Sequence, residues 1–282
     1  MSMNKHYYYG KAASLIKGVE NYIGFDKDSG LIKDGSPEGV FLDTFENSSL
    51  AIAYVLLGRK EDAKRIFEGI KTHIGIDPET GLFYNKKGLS KDESKKTLPG
   101  EKTLYLSNQV LVSILCEMLG MEEEARELEK KYEKEIGTFE FEVNGKKYQI
   151  YRHAKNKNYF YPFNNLLVAI NKISLGQEDK AEKLVADIKE ICFDDKVKLL
   201  RANPKDRIYF TLNNALLSTY QAITGREKES ANLIHHIEEK IGFDEKTGLA
   251  FEGFTPRGKI KNILTYVNTQ LAISYLALAG IR

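Results

Sequence analysis

The sequence has no tryptophan and only two cysteines, Cys116 and Cys192, in 282 residues. Without a CxxC or Cys/His spacing they exclude a disulfide framework and a cysteine-built zinc site, and make the cytoplasm the expected compartment. Histidine is scarce, and His73, His235 and His236 stand outside any HExxH pattern, so no metal is expected. Neither a G-x-G-x-x-G fingerprint nor a P-loop occurs, and no cofactor is expected. Long apolar runs are missing too. The first residues, MSMNKHYYYG, lack an apolar signal-peptide core, and the stretch Leu264 to Ile281 is interrupted by Asn268, Thr269 and Gln270. Neither a signal peptide nor a membrane span is expected. Charge is balanced, 42 Lys+Arg against 40 Asp+Glu for a net +2, which gives no bulk attraction to nucleic acid or membranes. At 42% hydrophobic and 29% charged, the composition is that of a globular protein able to bury about three quarters of its unfolded surface.

What is present is a repeat, with a spacing of roughly 50 to 60 residues. An apolar helix ends in glycine five times, at Gly58, Gly120, Gly176, Gly225 and Gly280. Twelve residues before the glycine stands Asn108, Asn164, Asn213 or Asn268, and Glu46 in the first copy. A charged amphipathic helix follows, with Ala63, Ile66, Phe67, Ile70 and Ile74, or Ala181, Leu184, Val185, Ile188 and Ile191, at helical spacing. That helix runs into a short turn or hairpin, three times of the form D-x-x-S/T-G-L at Asp26, Asp77 and Asp244. These lack the ligand order and final Glu of an EF-hand and read as turn punctuation, not calcium loops.

The N-terminal segment matches only the amphipathic helix and hairpin, and the C-terminal segment only the apolar helix. Five helical hairpins result if the two halves pair. The expected fold is all-α: a closed α/α toroid over residues 1–282, a single domain with apolar helices inside, amphipathic ones outside and small β-hairpins on one face. Connections after each glycine are short, whereas those leading back to the next inner helix are long, so one face should carry any site.

Alternating inner and outer helices, the turns DKDSGL, DPETGL and DEKTGL, and long loops at one mouth resemble the six-hairpin glycosidase-like superfamily across nearly the whole chain. The resemblance implies a carbohydrate-active enzyme, a hydrolase or a lyase or epimerase, working at the mouth of the barrel.

Hydrolysis needs two carboxyl groups, and Asp43 and Glu46 are the candidates, Glu46 replacing the asparagine of the other copies. Glu46 is a poorer helix cap than Asn, so local structure gains little from it. The first long loop is acidic, with Asp26, Asp28, Asp34, Glu38 and Asp43, whereas Val143 to Gln177 contains no Asp or Glu but six basic residues. With helix N-termini aimed at the same mouth, an anionic saccharide is the expected ligand. Within that basic span, Arg152 is the candidate carboxylate clamp, His153 the proton carrier, and Tyr159 and Tyr161 the stacking rings. The preceding segment alternates Phe139, Phe141, Val143 and Tyr148, Ile150 about Asn144-Gly145, predicting a β-hairpin that projects as a flap. Asn108, Asn164, Asn213 and Asn268 are expected N-caps whose amides could also bind ligand hydroxyls. The rival reading is a non-enzymatic helical-repeat protein that binds a peptide or protein partner. Single-stranded nucleic acid on the Lys- and Tyr-rich loops is disfavoured by the near-neutral charge. Oligomeric state carries no sequence signal.

Overall fold

The computed structural model describes residues 3–33, 41–88 and 103–281. Asp34 and Glu38 of the acidic loop lie outside them. Ten α-helices alternate between two layers among the described residues. The inner ones are α2 (Thr44–Leu56), α4 (Leu106–Leu119), α6 (Pro162–Ser174), α8 (Thr211–Ile223) and α10 (Thr265–Leu278). The outer ones are α1 (Met3–Tyr22), α3 (Lys60–Gly69, continued by a π-helical turn to Ile74), α5 (Glu122–Glu135), α7 (Glu178–Cys192) and α9 (Glu227–Lys240). Inner helices are apolar around most of their circumference because neighbours surround them; outer helices bury one stripe and expose the rest.

Each inner helix packs on the next, and α10 packs on both α8 and α2, so the inner layer is a ring. Helices α3, α5, α7 and α9 each cover the inner helix before them, and α1 covers α10. Small hydroxyl residues let the inner helices approach closely. Gln270 donates to Ser49 Oγ at 2.9 Å between α10 and α2, and Thr219 and Ser274 hydroxyls meet at 2.9 Å between α8 and α10. Cys116 and Cys192 are buried and unbonded, and burial pushes both thiols up to about 12, which keeps them protonated and inert.

The strands sit at the N-terminal ends of the inner helices. Strand β1 (Phe41–Asp43) pairs with β2 (Lys86–Gly88), β3 (Thr138–Val143) with β4 (Lys146–Tyr151), and β5 (Phe193–Asp194) with β6 (Leu199–Leu200). Strand β7 (Tyr209–Phe210) joins β8 (Gly253–Thr255) and β9 (Gly258–Ile260). All pairings are antiparallel. The β3–β4 turn places Asn144 and Gly145 at φ 53° and 75°, the left-handed pair that an Asn-Gly turn supplies. This hairpin is not the projecting flap expected. Tyr148 and Ile150 are buried, and Lys146 meets Glu190 of α7 at 2.6 Å, because alternate side chains on both strands are apolar and need a core.

One amide per repeat fixes each hairpin to its helix. At the fourth helical position, Asn47, Gln109, Asn165, Asn214 and Asn268 each exchange two hydrogen bonds with one backbone residue of the preceding turn: Ile32, Phe83, Tyr151, Leu200 and Ala250. N–H to amide oxygen distances are 2.7–2.9 Å. The same amide nitrogen reaches the carbonyl that opens its helix, for example Phe210 O at 2.9 Å from Asn214. The expected capping role of Asn108, Asn164, Asn213 and Asn268 is therefore corrected. Tyr105, Tyr161, Phe210 and Leu264 occupy the cap positions, without side-chain cap bonds. The first three asparagines stand at the third helical position. Asn268 stands at the fourth because α10 has one more residue before its glycine, so counting back from Gly280 assigns it to the wrong set.

The D-x-x-S/T-G turns are closed by Asp. In each, the Asp carboxylate accepts from the N–H and hydroxyl three residues on, at 2.6–3.0 Å, and the glycine has positive φ. The fourth copy keeps the Asp at Asp194 but has Lys198 at φ 63° where the others have glycine. A Cβ there costs about 1–2 kcal/mol, partly offset by the lower chain entropy of lysine. Lys198→Gly should raise stability by about 0.5–1 kcal/mol in urea unfolding.

Removing a clamp leaves a buried N–H and a buried C=O unpaired. Asn214→Ala should cost about 2–4 kcal/mol in the same assay, far above an exposed Asn substitution. The turn carboxylates add an acid dependence. Hydrogen bonds from Thr80 and Thr247 lower Asp77 and Asp244, and at Asp26 those from Ser29 outweigh the opposing effect of burial. A carboxylate held below its unfolded value stabilises the fold above about pH 4 and loses that contribution as pH falls through its folded value. Asp26→Asn/Asp77→Asn/Asp244→Asn should lower Tm at neutral pH and flatten the loss of stability below about pH 4.

Candidate functional site

Five inner helices begin around the axis, and their second residues, Phe45, Ser107, Phe163, Leu212 and Tyr266, all face one cavity of about 430 Å³. Phe45 meets Phe163 and Tyr266 edge to face, with ring centroids 6.0 and 5.4 Å away. The third residues of α2 and α4, Glu46 and Asn108, also line the cavity, together with Asp43, Asn85, Tyr105, His153 and Leu264.

Asp43, Glu46, His153 and Asn108 are thus brought together. Asp43 ends β1 and caps α2, with Oδ1 accepting from the Phe45 and Glu46 N–H groups at 2.7 and 3.4 Å. Its carboxylate and that of Glu46, only 5% exposed, sit where the helix dipole favours negative charge. Asn108 Nδ2 donates to Asn85 Oδ1 at 3.0 Å. His153 is pinned through its backbone: its carbonyl accepts from Leu106 N–H at the start of α4, and its N–H donates to Tyr159 O. Its ring lies 4.7–5.3 Å from those of Tyr105, Tyr159 and Tyr161. Asn164 Nδ2 is 2.8 Å from Nδ1; donating there, it leaves the ring proton on Nε2. Asn164 is fully buried, and its Oδ1 has no hydrogen-bond partner among the described residues.

Tyr266 was not singled out by sequence. Burial first, then the charges of Glu252, Glu46 and Asp43, push its hydroxyl well above the usual tyrosine range, so it remains a proton donor amid three carboxylates. The available signal was positional. The ring-lining residues immediately precede Glu46, Asn108, Asn164 and Asn213 in their repeats, and Tyr266 is found once the offset in α10 is allowed for.

Other candidates lie elsewhere. Arg152 is not part of the cavity wall; its Nε donates to Asn158 Oδ1 at 2.9 Å and Nη1 to Ile136 O at 3.0 Å on the outer side. Arg152 and His153 follow β4 directly, and the structure turns His153 to the cavity and Arg152 to the outer side. Asn268 is spent on its clamp, and Asn213 opens onto a neighbouring lobe with Tyr161. Tyr159 is half exposed beside His153.

Nor does the basic span deliver charge to the mouth. Lys146, Lys147 and Lys155 pair with Glu190, Glu140 and Glu135, and buried Lys172 pairs with Glu129 and Glu133. None of the residues described as lining the cavity is Lys or Arg. Among the described residues no group of three or more His, Cys, Asp or Glu is placed to hold a metal ion, and no helix is long and apolar enough to cross a membrane.

A ring of inner helices inside a second helical layer, with hairpins and a pocket at one end, is an α/α toroid whose architecture resembles that of the six-hairpin glycosidase-like structures. Solved structures similar to it include endo-β-1,4-glucanase CMCax from Acetobacter xylinum, with TM-score 0.61 and 9% identity over 95% of this chain and 98% of that one. An inactive α-1,6-mannanase variant of Salegentibacter sp., in complex with α-1,6-mannotriose, has TM-score 0.54 and 12% identity over 98% of this chain and 100% of that one. Cellobiose 2-epimerase from Bacillus thermoamylovorans has TM-score 0.57 and 10% identity over 98% and 86%. No protein-family model matches the chain, and no curated protein matches its sequence. At such identities the likeness establishes the fold alone.

Proposed function

We propose that the chain is a carbohydrate-active enzyme that binds a saccharide at the N-terminal mouth of the inner ring and acts on it with Glu46, Asp43 and His153. The observation that carries this reading is their convergence with Asn108 and the faces of Phe45, Tyr105, Phe163 and Tyr266 in one cavity. Aromatic faces suit the apolar side of a sugar ring, and amides and carboxylates suit its hydroxyls.

Hydrolysis is the first reading. Buried Glu46 donates a proton to the glycosidic oxygen as that bond breaks, and Asp43 accepts a proton from the attacking water. The placement of His153 favours a second, epimerase-like reading, in which the imidazole removes the proton from the carbon beside the carbonyl of an open-chain sugar and a second cavity acid, Glu46, supplies a proton to the opposite face. In this reading the substrate is neutral rather than anionic, since among the described residues the charged side chains lining the cavity are carboxylates and Arg152 points away. The ring geometry argues against the peptide-binding alternative: α1 packs on α10 and α10 on α2, so the chain ends are not separated around an open groove.

A panel of neutral glucans, mannans and reducing disaccharides, assayed for new reducing ends and for epimer formation, tests the reading. Glu46→Gln should lower kcat about 10²–10⁴-fold if the reaction is hydrolysis, and His153→Ala should do so if it is epimerisation. Arg152→Ala should leave saccharide affinity within about twofold. Absence of turnover across the panel, or turnover indifferent to both catalytic variants, would sink the proposal.

A further inference from the structure

Beside the main cavity lies a second lobe of about 230 Å³, and the two share Phe163, Leu212 and Tyr266 as common walls. The far side of this lobe is formed by Asn213, Glu252 and Tyr161. Asn213 stands at the third position of α8, the place Glu46 holds on α2, so the same helical geometry that aims Glu46 at the first lobe aims Asn213 at the second. Its Nδ2 donates to Arg201 O at 3.2 Å, while its Oδ1, in a side chain 1% exposed, has no hydrogen-bond partner among the described residues. A buried acceptor left without a donor costs about 1–3 kcal/mol unless something supplies one. Glu252 is held from behind: its Oε2 accepts from Asn262 Nδ2 at 2.8 Å, and its carbonyl accepts from the Thr211 N–H that opens α8. Tyr161 stacks on Phe163 with centroids 5.6 Å apart and rings 18° from parallel, presenting a continuous aromatic edge between the lobes.

We propose that the second lobe is a binding site for a second sugar unit, so that the preferred ligand is a neutral disaccharide or longer chain lying across Tyr266. In this arrangement a sugar hydroxyl donates to Asn213 Oδ1, Glu252 accepts from a second hydroxyl, and Tyr161 covers a ring face. The inference rests on the saccharide reading above and adds the length of the ligand and the residues that measure it. The repeat does not identify Glu252, because it stands immediately before strand β8 and not at a helix start.

The test is a titration of the isotope-labelled full chain with D-glucose, cellobiose, D-mannose and α-1,6-mannobiose, following the His153 ring and the Asn108 and Asn213 side-chain amides. The expected result is that a disaccharide perturbs all three residues and binds about tenfold or more tightly than its monosaccharide. Asn213→Ala and Glu252→Gln should each reduce that ratio toward one. Glu252→Gln keeps the shape of the side chain and an acceptor for Asn262, so it serves should Asn213→Ala fail to fold. Perturbation confined to His153 and Asn108, with equal affinity for one and two units, overturns the second lobe and leaves the saccharide reading intact. No response to any of the four sugars overturns both.

Discussion

The structure depends on a single hydrogen-bonding requirement, repeated five times. A short hairpin buried against the start of an inner helix has, on its outer edge, a backbone N–H and C=O that its partner strand does not pair, and a buried pair left open is costly. A carboxamide is the side chain that satisfies both at once, offering an acceptor and a donor in one plane. Asn47, Gln109, Asn165, Asn214 and Asn268 do this, and each also holds the carbonyl that opens its own helix. Turn and helix are thereby locked in register, and the second residue of each helix faces the axis.

The cavity follows from that lock. Because the fourth position is fixed onto the turn, the second positions of five helices and the third positions of α2 and α4 converge, which gives a wall of aromatic, amide and carboxyl groups. The converging N-termini favour negative charge, and the first repeat places Asp43 and Glu46 there. The same repeat that builds the scaffold thus reserves positions at which chemistry changes without disturbing packing. Phe45, Ser107, Phe163, Leu212 and Tyr266 differ widely in size and polarity while occupying one structural role.

Charge behaves differently. Four of the six basic residues between Val143 and Gln177, Lys146, Lys147, Lys155 and Lys172, pair with acids from three other elements, β3, α5 and α7, and among the described residues the acidic and basic side chains lining the cavity are carboxylates. A count along the chain sees the basic run and not its partners, because electrostatic neighbours are set by packing. The buried cluster of Lys172 with Glu129 and Glu133 shows the same point, since the residues involved lie about forty positions apart.

The sequence by itself determined the helices, their inner and outer layers, the hairpin about Asn144-Gly145 and the side of the ring where a site would form, since periodicity, capping and turn chemistry act over a few residues. It also located Asp43, Glu46, Asn108 and His153, all of which face the cavity. Only the tertiary structure decided that Arg152 points away while His153 points in, that Asn268 belongs with the clamps, and that Tyr266 and Glu252 join the mouth. Those outcomes turn on the direction of one side chain, or on a one-residue offset in α10, and both are fixed by contacts between segments far apart in the chain.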